Sequence, residues 1–116
     1  MAGKIDWYYH RKGCRTCARA DAFLEQAQLQ IAEQINARKD RLGPNDAIKL
    51  ARDAEELFVM RGKKLLHFDM KKDNPSDDEL IRLMIGPSGN LRAPTMRRGN
   101  QLFVCFDENA FSGHLA

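Results

Sequence analysis

The 116-residue sequence has few cysteines and no long apolar run. It contains three cysteines and one tryptophan. Three cysteines are too few for a disulfide-stapled framework, and a chain of this length does not need one because it can bury a core of its own. No stretch approaches the run of about 18 apolar residues that a membrane span requires. We therefore predict a protein that folds without structural disulfides and does not cross a membrane.

A secretion signal and a strong charge imbalance are also missing. The N-terminal MAGKIDWYYH has no apolar segment of the kind found in signal peptides, which predicts a cytoplasmic protein. The net charge is only +3, and the cations are dispersed, for example in the RKDR at 38–41. We interpret them as solvated loops and faces and expect no direct nucleic-acid binding. No repeat or heptad pattern is present, so a monomer is the expected state.

The first third of the chain predicts a strand followed by a helix. Residues 4–9, KIDWYY, are rich in strand-forming side chains. From Thr16 the apolar residues recur with the spacing of one helix face. No helix breaker occurs before Gly43 and Pro44, so the pattern alone allows one helix to about residue 41. Residues 30–36 also fit a weak strand, and local reasoning leaves both alternatives open.

The remainder predicts helices and then a hairpin. Pro44 begins a helix that includes Leu57 and Phe58, KKLLHFD at 63–69 is expected to be a short helix, and Ser76 is a good N-cap for a third. Two strands follow at 94–97 and 101–106, with a turn at 98–100, before a short final helix. Such an order favours an α/β fold in which a mixed sheet carries helices on its faces.

The segment HRKGCRTC contains the chemistry-bearing residues. A cysteine at a helix N-terminus has a lowered pKa because free amides and the helix dipole favour the thiolate. Cys14 occupies that position, and Cys17 lies in the first turn, close enough to attack an adduct on Cys14. The spacing, placed between a first strand and a first helix, favours redox chemistry. Nearby cations add positive potential: Arg11, Lys12 and Arg15.

Two other interpretations of the pair remain open. A zinc site would need two further ligands, and the other potential ligands, Cys105, His67 and His114, are scattered along the sequence. Two structural cysteines are also compatible with the spacing. The third cysteine, Cys105, lies within the apolar LFVCF and is predicted to be buried and inert. Pro94 begins the last hairpin, and local sequence allows either a cis or a trans peptide bond before it.

Several stretches resemble the arsenate reductase (ArsC)-related family of thioredoxin-like proteins, which includes the Spx regulators. YYHRKGCRTC resembles the opening of that family, and IAEQINARKDRL its second strand and following turn. LFVMRGKKLLHFDM resembles its helical-insert segment, NPSDDELIRLMIGPSGNLRAPTM its cis-proline region, and GNQLFVCFDENAF its final strand. The resemblance covers nearly the whole chain in order.

The resemblance implies a fold. It predicts one thioredoxin-like domain over residues 1–116, with a four-stranded mixed sheet, helices on its faces and a helical insert at about 44–85. It ends the first helix near Gln28 and makes residues 30–36 a strand. The family has a glycine at that helix end, which Leu29 or Gln30 replaces here.

The resemblance also implies residue roles. Cys14 matches the nucleophile, His10 a histidine that activates it, and Cys17 the second thiol. Arg61 and Arg92 match oxyanion-binding arginines, since a planar guanidinium can bind two oxygens of arsenate. Pro94 matches the substrate-facing cis-proline. Ala93 separates Arg92 from this proline, whereas the family places its arginine directly before it.

Two functions follow from the resemblance. The first is a thiol oxidoreductase that reduces an oxyanion such as arsenate, or a disulfide. It would bind no cofactor and would draw electrons from glutathione, glutaredoxin or thioredoxin. The second is an Spx-like redox sensor that binds RNA polymerase without catalysis.

Overall fold

A computed structural model describes residues 4–115 and the side chains up to residue 111. The chain alternates strands and helices in an α/β order. The elements are β1 (Lys4–Ile5), β2 (Trp7–His10), α1 (Arg15–Gln26), β3 (Gln30–Ile31), β4 (Gln34–Asn36), α2 (Pro44–Asp53), β5 (Glu56–Arg61), β6 (Lys64–Asp69), α3 (Asp77–Met84), β7 (Thr95–Arg98), β8 (Gln101–Val104) and α4 (Glu108–Leu115).

The main sheet is mixed and has six strands in the order β4-β2-β7-β8-β5-β6. Strand β2 runs parallel to β4 and antiparallel to β7, and β8 runs antiparallel to β7 and parallel to β5. The short strands β1 and β3 pair in parallel as a separate extension. In this topology the carboxyl ends of β2, β4, β5 and β8 share one edge of the sheet, which is where the site described below is found.

Helices cover both faces of the sheet. Successive strand residues alternate between two cores, as the side-chain period of a strand requires. Tyr9 packs in a core with α2 and α3, whereas its neighbour Tyr8 packs in a core with α1 and α4. Because central strands are buried on both faces, β5 and β8 read as continuous apolar runs. The predicted mixed sheet with helices on its faces is therefore confirmed.

The predicted helices at 57–69 are wrong. Residues 56–61 and 64–69 form an antiparallel hairpin, β5–β6, in which Arg61 pairs with Lys64. Gly62 has a φ of +63°, which suits the first position of a two-residue hairpin turn. The helical insert at 44–85 is thus only partly helical. The main sheet has six strands instead of four because this hairpin adds its two strands beyond β8.

At the end of α1, a glutamine occupies the position where the family has a glycine. Gln28 itself takes the left-handed conformation, with a φ of +58°. The Leu29 amide donates to the Leu24 carbonyl, and the Gln28 amide donates to the Glu25 carbonyl. These two bonds form the Schellman arrangement, which a glycine usually closes. The expected end near Gln28 is confirmed, but Gln28 holds the glycine position, which was predicted for Leu29 or Gln30.

Other local predictions are confirmed. Helix α2 begins at Pro44, and the Ser76 hydroxyl accepts a hydrogen bond from the Glu79 amide at the start of α3. Strands β7 and β8 form the expected hairpin, with a positive φ at Gly99 in its turn. None of the helices in the described part of the chain has the length and apolar character needed to cross a membrane.

Candidate active site

Cys14 lies at the N-cap of α1, immediately after the end of β2 and a short turn. Gly13 has a φ of +87°, a conformation that other residues rarely adopt, and it directs the chain into the helix. The Sγ of Cys14 accepts a hydrogen bond from the Cys17 amide at 3.3 Å. The same sulfur lies 3.8 Å from the carbonyl oxygen of Ala93. The thiol is therefore held between a helix N-terminus and the loop before β7.

The surroundings of Cys14 favour its thiolate. Partial burial alone would raise the pKa, but hydrogen bonds from the Cys17 thiol and amide and from the Thr16 amide act in the opposite direction. The positive charge of Arg11 adds to them. The net effect is a pKa for Cys14 below the ordinary cysteine value, as amides at a helix N-terminus and a nearby cation produce.

Cys17 has the opposite environment. Its side chain is 0% exposed, and burial together with the neighbouring Cys14 sulfur raises its pKa to about 12. The hydroxyl of Tyr8 lies 3.4 Å from the Cys17 carbonyl and donates to Asp21 at 2.9 Å. Burial and that carboxylate also raise the pKa of Tyr8. The site thus pairs an accessible thiol that ionises readily with a buried thiol that stays protonated.

This asymmetry predicts selective alkylation. With iodoacetamide between about pH 5 and 9, labelling of Cys14 should follow a single titration with a midpoint below about 8.5, while Cys17 stays unlabelled until the protein unfolds. The labelling rate rises with pH because only the thiolate reacts. Peptide mass mapping after timed labelling measures both cysteines at once. A midpoint for Cys14 at or above 8.5 would contradict the argument.

The loop before β7 forms the second side of the site. The Ala93–Pro94 peptide bond is cis, which is the geometry that the resemblance implies. Arg92 lies beside it and donates from Nη1 to the Leu83 carbonyl at 3.2 Å. The Pro94 carbonyl accepts a hydrogen bond from the Cys105 amide at 2.8 Å. Cys14 and Arg92 therefore line one cavity, and Pro94 follows Ala93, whose carbonyl oxygen lies near Cys14 Sγ. The substrate-binding roles of Arg92 and Pro94 stay predictions.

An open cavity of about 800 Å³ lies over Cys14, and Cys105 lines it. Cys105 follows β8 directly, is half-buried and has a φ of +66°. The prediction that this cysteine is buried is wrong, because β8 ends at Val104 and Cys105 lies at the cavity lining. The polar wall of the cavity is basic, and its charged members are Arg11, Lys12, Arg38, Arg41 and Arg92.

Comparisons with known proteins bear on the family and the fold. The sequence pattern of the ArsC family matches residues 9–113. The chain belongs to the ArsC family. Among solved structures, the YffB protein superimposes with a TM-score of 0.56 at 16% identity, over 95% of this chain and 98% of that one. No curated protein matches the sequence. The thioredoxin-like fold expected of an ArsC-family member is thereby confirmed.

His10, which the ArsC resemblance matches to a thiol-activating histidine, forms a hydrogen bond to a carboxylate of α1. Its Nε2 lies 2.8 Å from the Asp21 carboxylate, and its side chain is 17% exposed. Asp21 also accepts from Tyr8, so the two residues of β2 are joined to α1 through one carboxylate. The cavity over Cys14 is lined without His10. Nε2 of His10 is therefore held by Asp21, and the activation of Cys14 by His10 that the resemblance implies stays a prediction.

Arg61 is also separated from the cavity of this ArsC-family member. It ends β5 at the same sheet edge, but two strands, β7 and β8, lie between β5 and the β2 strand that leads to Cys14. Its guanidinium donates to the Arg82 carbonyl at 3.4 Å. The structure thus brings Arg92 to the cavity and leaves Arg61 outside its lining.

Arg38 and Arg41 are the lining residues that sequence analysis placed elsewhere. The RKDR segment was interpreted as a solvated loop, yet two of its residues line the cavity. Only its position after β4, the strand beside β2, could have indicated this, because adjacent parallel strands end at the same edge. For zinc, the described residues contain no group of three or more potential ligands.

Proposed function

We propose that this chain is a thiol oxidoreductase in which Cys14 is the nucleophile and Cys17 is the resolving thiol. One observation carries the proposal. Cys14 Sγ accepts the Cys17 amide at a helix N-terminus and faces an open cavity, while the second thiol lies buried one turn away. A nucleophile needs both a lowered pKa and access, and Cys14 combines them.

The chemistry takes two steps. The Cys14 thiolate attacks a substrate disulfide, forms a mixed disulfide and releases one substrate thiolate, which takes up a proton. Cys17 then loses its proton and attacks Cys14 Sγ, which releases the second substrate thiol and leaves a Cys14–Cys17 disulfide. Two electrons pass from the enzyme thiols to the substrate. An external thiol, such as glutathione, glutaredoxin or thioredoxin, restores the reduced pair in a reducing compartment such as the cytoplasm.

Arsenate would use the same pair of thiols. Cys14 would displace water from arsenic(V), and attack by Cys17 on Cys14 Sγ would then release arsenic(III) with the same two electrons. A disulfide is the substrate class that the site supports better. The cavity of about 800 Å³ has the size of a site for a larger organic ligand. Arg61, which the family resemblance assigns to the oxyanion, bonds to Arg82 instead.

The Cys17→Ser variant tests the proposal. Incubated with a small disulfide, it should accumulate a mixed disulfide on Cys14, because the resolving thiol is absent and a serine hydroxyl does not displace it. The wild type should give the Cys14–Cys17 disulfide from the same mixture. Intact mass and peptide mapping distinguish the two products. An unmodified Cys14 in both proteins would refute the assignment.

The Spx-like alternative uses the same thiols for a different end. As a redox sensor the protein would form the Cys14–Cys17 disulfide once and bind RNA polymerase, without repeated turnover. The position of Arg61 outside the cavity favours it over an arsenate reductase. Repeated reduction of a disulfide by catalytic amounts of protein with excess reductant is the property that only the enzyme has.

A further inference from the structure

Four exposed cationic residues line the cavity over Cys14. Arg11 and Lys12 precede the nucleophile in the β2–α1 turn, and Arg38 and Arg41 lie in the segment 37–43 that joins β4 to α2. Among the described side chains, no aspartate or glutamate lines the cavity and none of the four cations forms an ion pair. A cluster of cations without counter-charges attracts anionic ligands.

The 37–43 segment is held firmly at both ends. The Ala37 amide donates to the His10 carbonyl at 2.8 Å, and the Leu42 amide donates to the Tyr9 hydroxyl at 3.2 Å. The Leu42 carbonyl accepts in turn from the Leu91 amide of the cis-proline loop at 2.6 Å. A loop whose backbone is fixed in advance loses little freedom when a ligand binds, so the backbone that carries the two arginines is already in place.

Arg38 reaches the residue next to the nucleophile. A methyl group placed on Gly13 would lie 3.6 Å from Nη2 of Arg38, so this guanidinium covers the turn directly before Cys14. Asp40, the acidic residue of the same segment, is exposed and does not line the cavity. The segment therefore presents its arginines to the cavity while its carboxylate lies outside the lining.

We propose that Arg11, Lys12, Arg38 and Arg41 form a carboxylate-binding wall that selects disulfide substrates with acidic residues beside the reactive sulfur. The substrate class is an acidic peptide in disulfide linkage. This proposal rests on the proposed function, because it names which disulfides Cys14 attacks. Arginine suits the task because its planar donors bind a carboxylate through two hydrogen bonds.

The number of cations argues for a peptide with more than one carboxylate. Two of them lie in the turn before Cys14 and two in the segment 37–43, and all four line one cavity, so a single small anion would leave some of these charges without a partner. An acidic side chain on each side of the reactive cysteine places one carboxylate near each group. A polyanion without a disulfide, such as a nucleic acid, could bind to the four cations but would offer no sulfur for Cys14 to attack.

Two synthetic peptides that differ only in charge test the wall. One is acetyl-Glu-Cys-Glu-amide and the other acetyl-Gln-Cys-Gln-amide, each as its mixed disulfide with 2-thiopyridine. The Cys14 thiolate attacks the peptide sulfur and releases pyridine-2-thione, which is followed by absorbance, and Cys17 then displaces the peptide thiol. The wild type should react with the acidic peptide about tenfold faster than with the neutral one at low ionic strength, and added salt should reduce this ratio.

Variants locate the effect. Arg38→Gln combined with Arg41→Gln should lower the ratio of the two rate constants at least about threefold, whereas any change in Cys14 ionisation affects both peptides and cancels in the ratio. Arg19→Gln combined with Lys72→Gln is the matched control, because both residues are exposed and neither lines the cavity over Cys14. It removes two positive charges, as the test variant does, and should leave the ratio as in the wild type.

The outcomes separate this inference from the proposed function. Equal rates with both peptides in the wild type, or an unchanged ratio in the double variant, overturn the carboxylate wall while leaving the oxidoreductase intact. If neither peptide reacts, the proposed function fails. Calorimetric binding of the unreactive acetyl-Glu-Ser-Glu-amide then tests the carboxylate-binding wall independently of catalysis. Binding that the double variant loses then supports it, whereas no binding, or tighter binding of a single-stranded oligonucleotide, overturns it.

Discussion

Replacing Cys14 with serine is expected to lower the rate of disulfide reduction on the order of 10³-fold or more, because removing a catalytic nucleophile disables the residues that act together with it. The serine hydroxyl is a far weaker nucleophile than the thiolate, and Cys17 is too buried to take over. The rate of disulfide reduction with excess external thiol measures the effect.

The same variant should fold normally. Serine is a favoured N-cap residue, and its hydroxyl can accept the Cys17 amide that Cys14 Sγ accepts in the wild type. An unchanged circular dichroism spectrum and melting temperature would therefore attribute the loss of activity to chemistry. Cys105→Ser keeps the attacking sulfur and should retain most of the turnover. Wild-type activity in Cys14→Ser would contradict the assigned nucleophile.

Replacing Phe103 with alanine should destabilise the protein by about 3–5 kcal/mol, the usual cost of removing a large buried aromatic side chain. Phe103 is completely buried in β8, with ring centroids 4.8 Å from Phe58 and 5.2 Å from Phe111. The cavity left behind would lie between the sheet and α4. Denaturant unfolding followed by fluorescence or circular dichroism gives the difference in the free energy of unfolding.

The matched control for this core variant is Phe68→Ala. Phe68 lies on β6, the edge strand of the main sheet, and is only half-buried. The same atoms are deleted, but neighbours and water can fill the space, so the loss should be clearly smaller. Equal losses at the two positions would show that Phe103 does not have the central packing role described here.

Sequence analysis was successful where structure depends on neighbouring residues. The N-cap at Ser76, the helix start at Pro44 and the glycine turn of the last hairpin are local features, and each was predicted. The β5–β6 hairpin was missed because LFVM and KLLHF contain residues that helices and strands both accept. What makes them strands is the pairing of β5 with β8, which lies about forty residues away along the chain, as in Phe58 opposite Phe103.

The same limit applies to the site. Cys14 and Cys17 were identified because one turn of helix brings them together whatever the rest of the chain does. Arg38 and Arg41 could be placed only through the sheet, since they reach the cavity because β4 pairs with β2. Cys105 was predicted to be buried because its neighbours in the sequence are apolar. The left-handed backbone that turns it toward the cavity leaves no mark in the residue pattern.

The full burial of Cys17 has a consequence for the order of events in turnover. Under the proposed chemistry, only one sulfur of the Cys14–Cys17 disulfide can be reached from the cavity. The external reductant must therefore attack Cys14, in the same space that the substrate has just left. Substrate and reductant then exclude each other from the site and follow double-displacement kinetics, in which an excess of either reactant inhibits the half-reaction of the other.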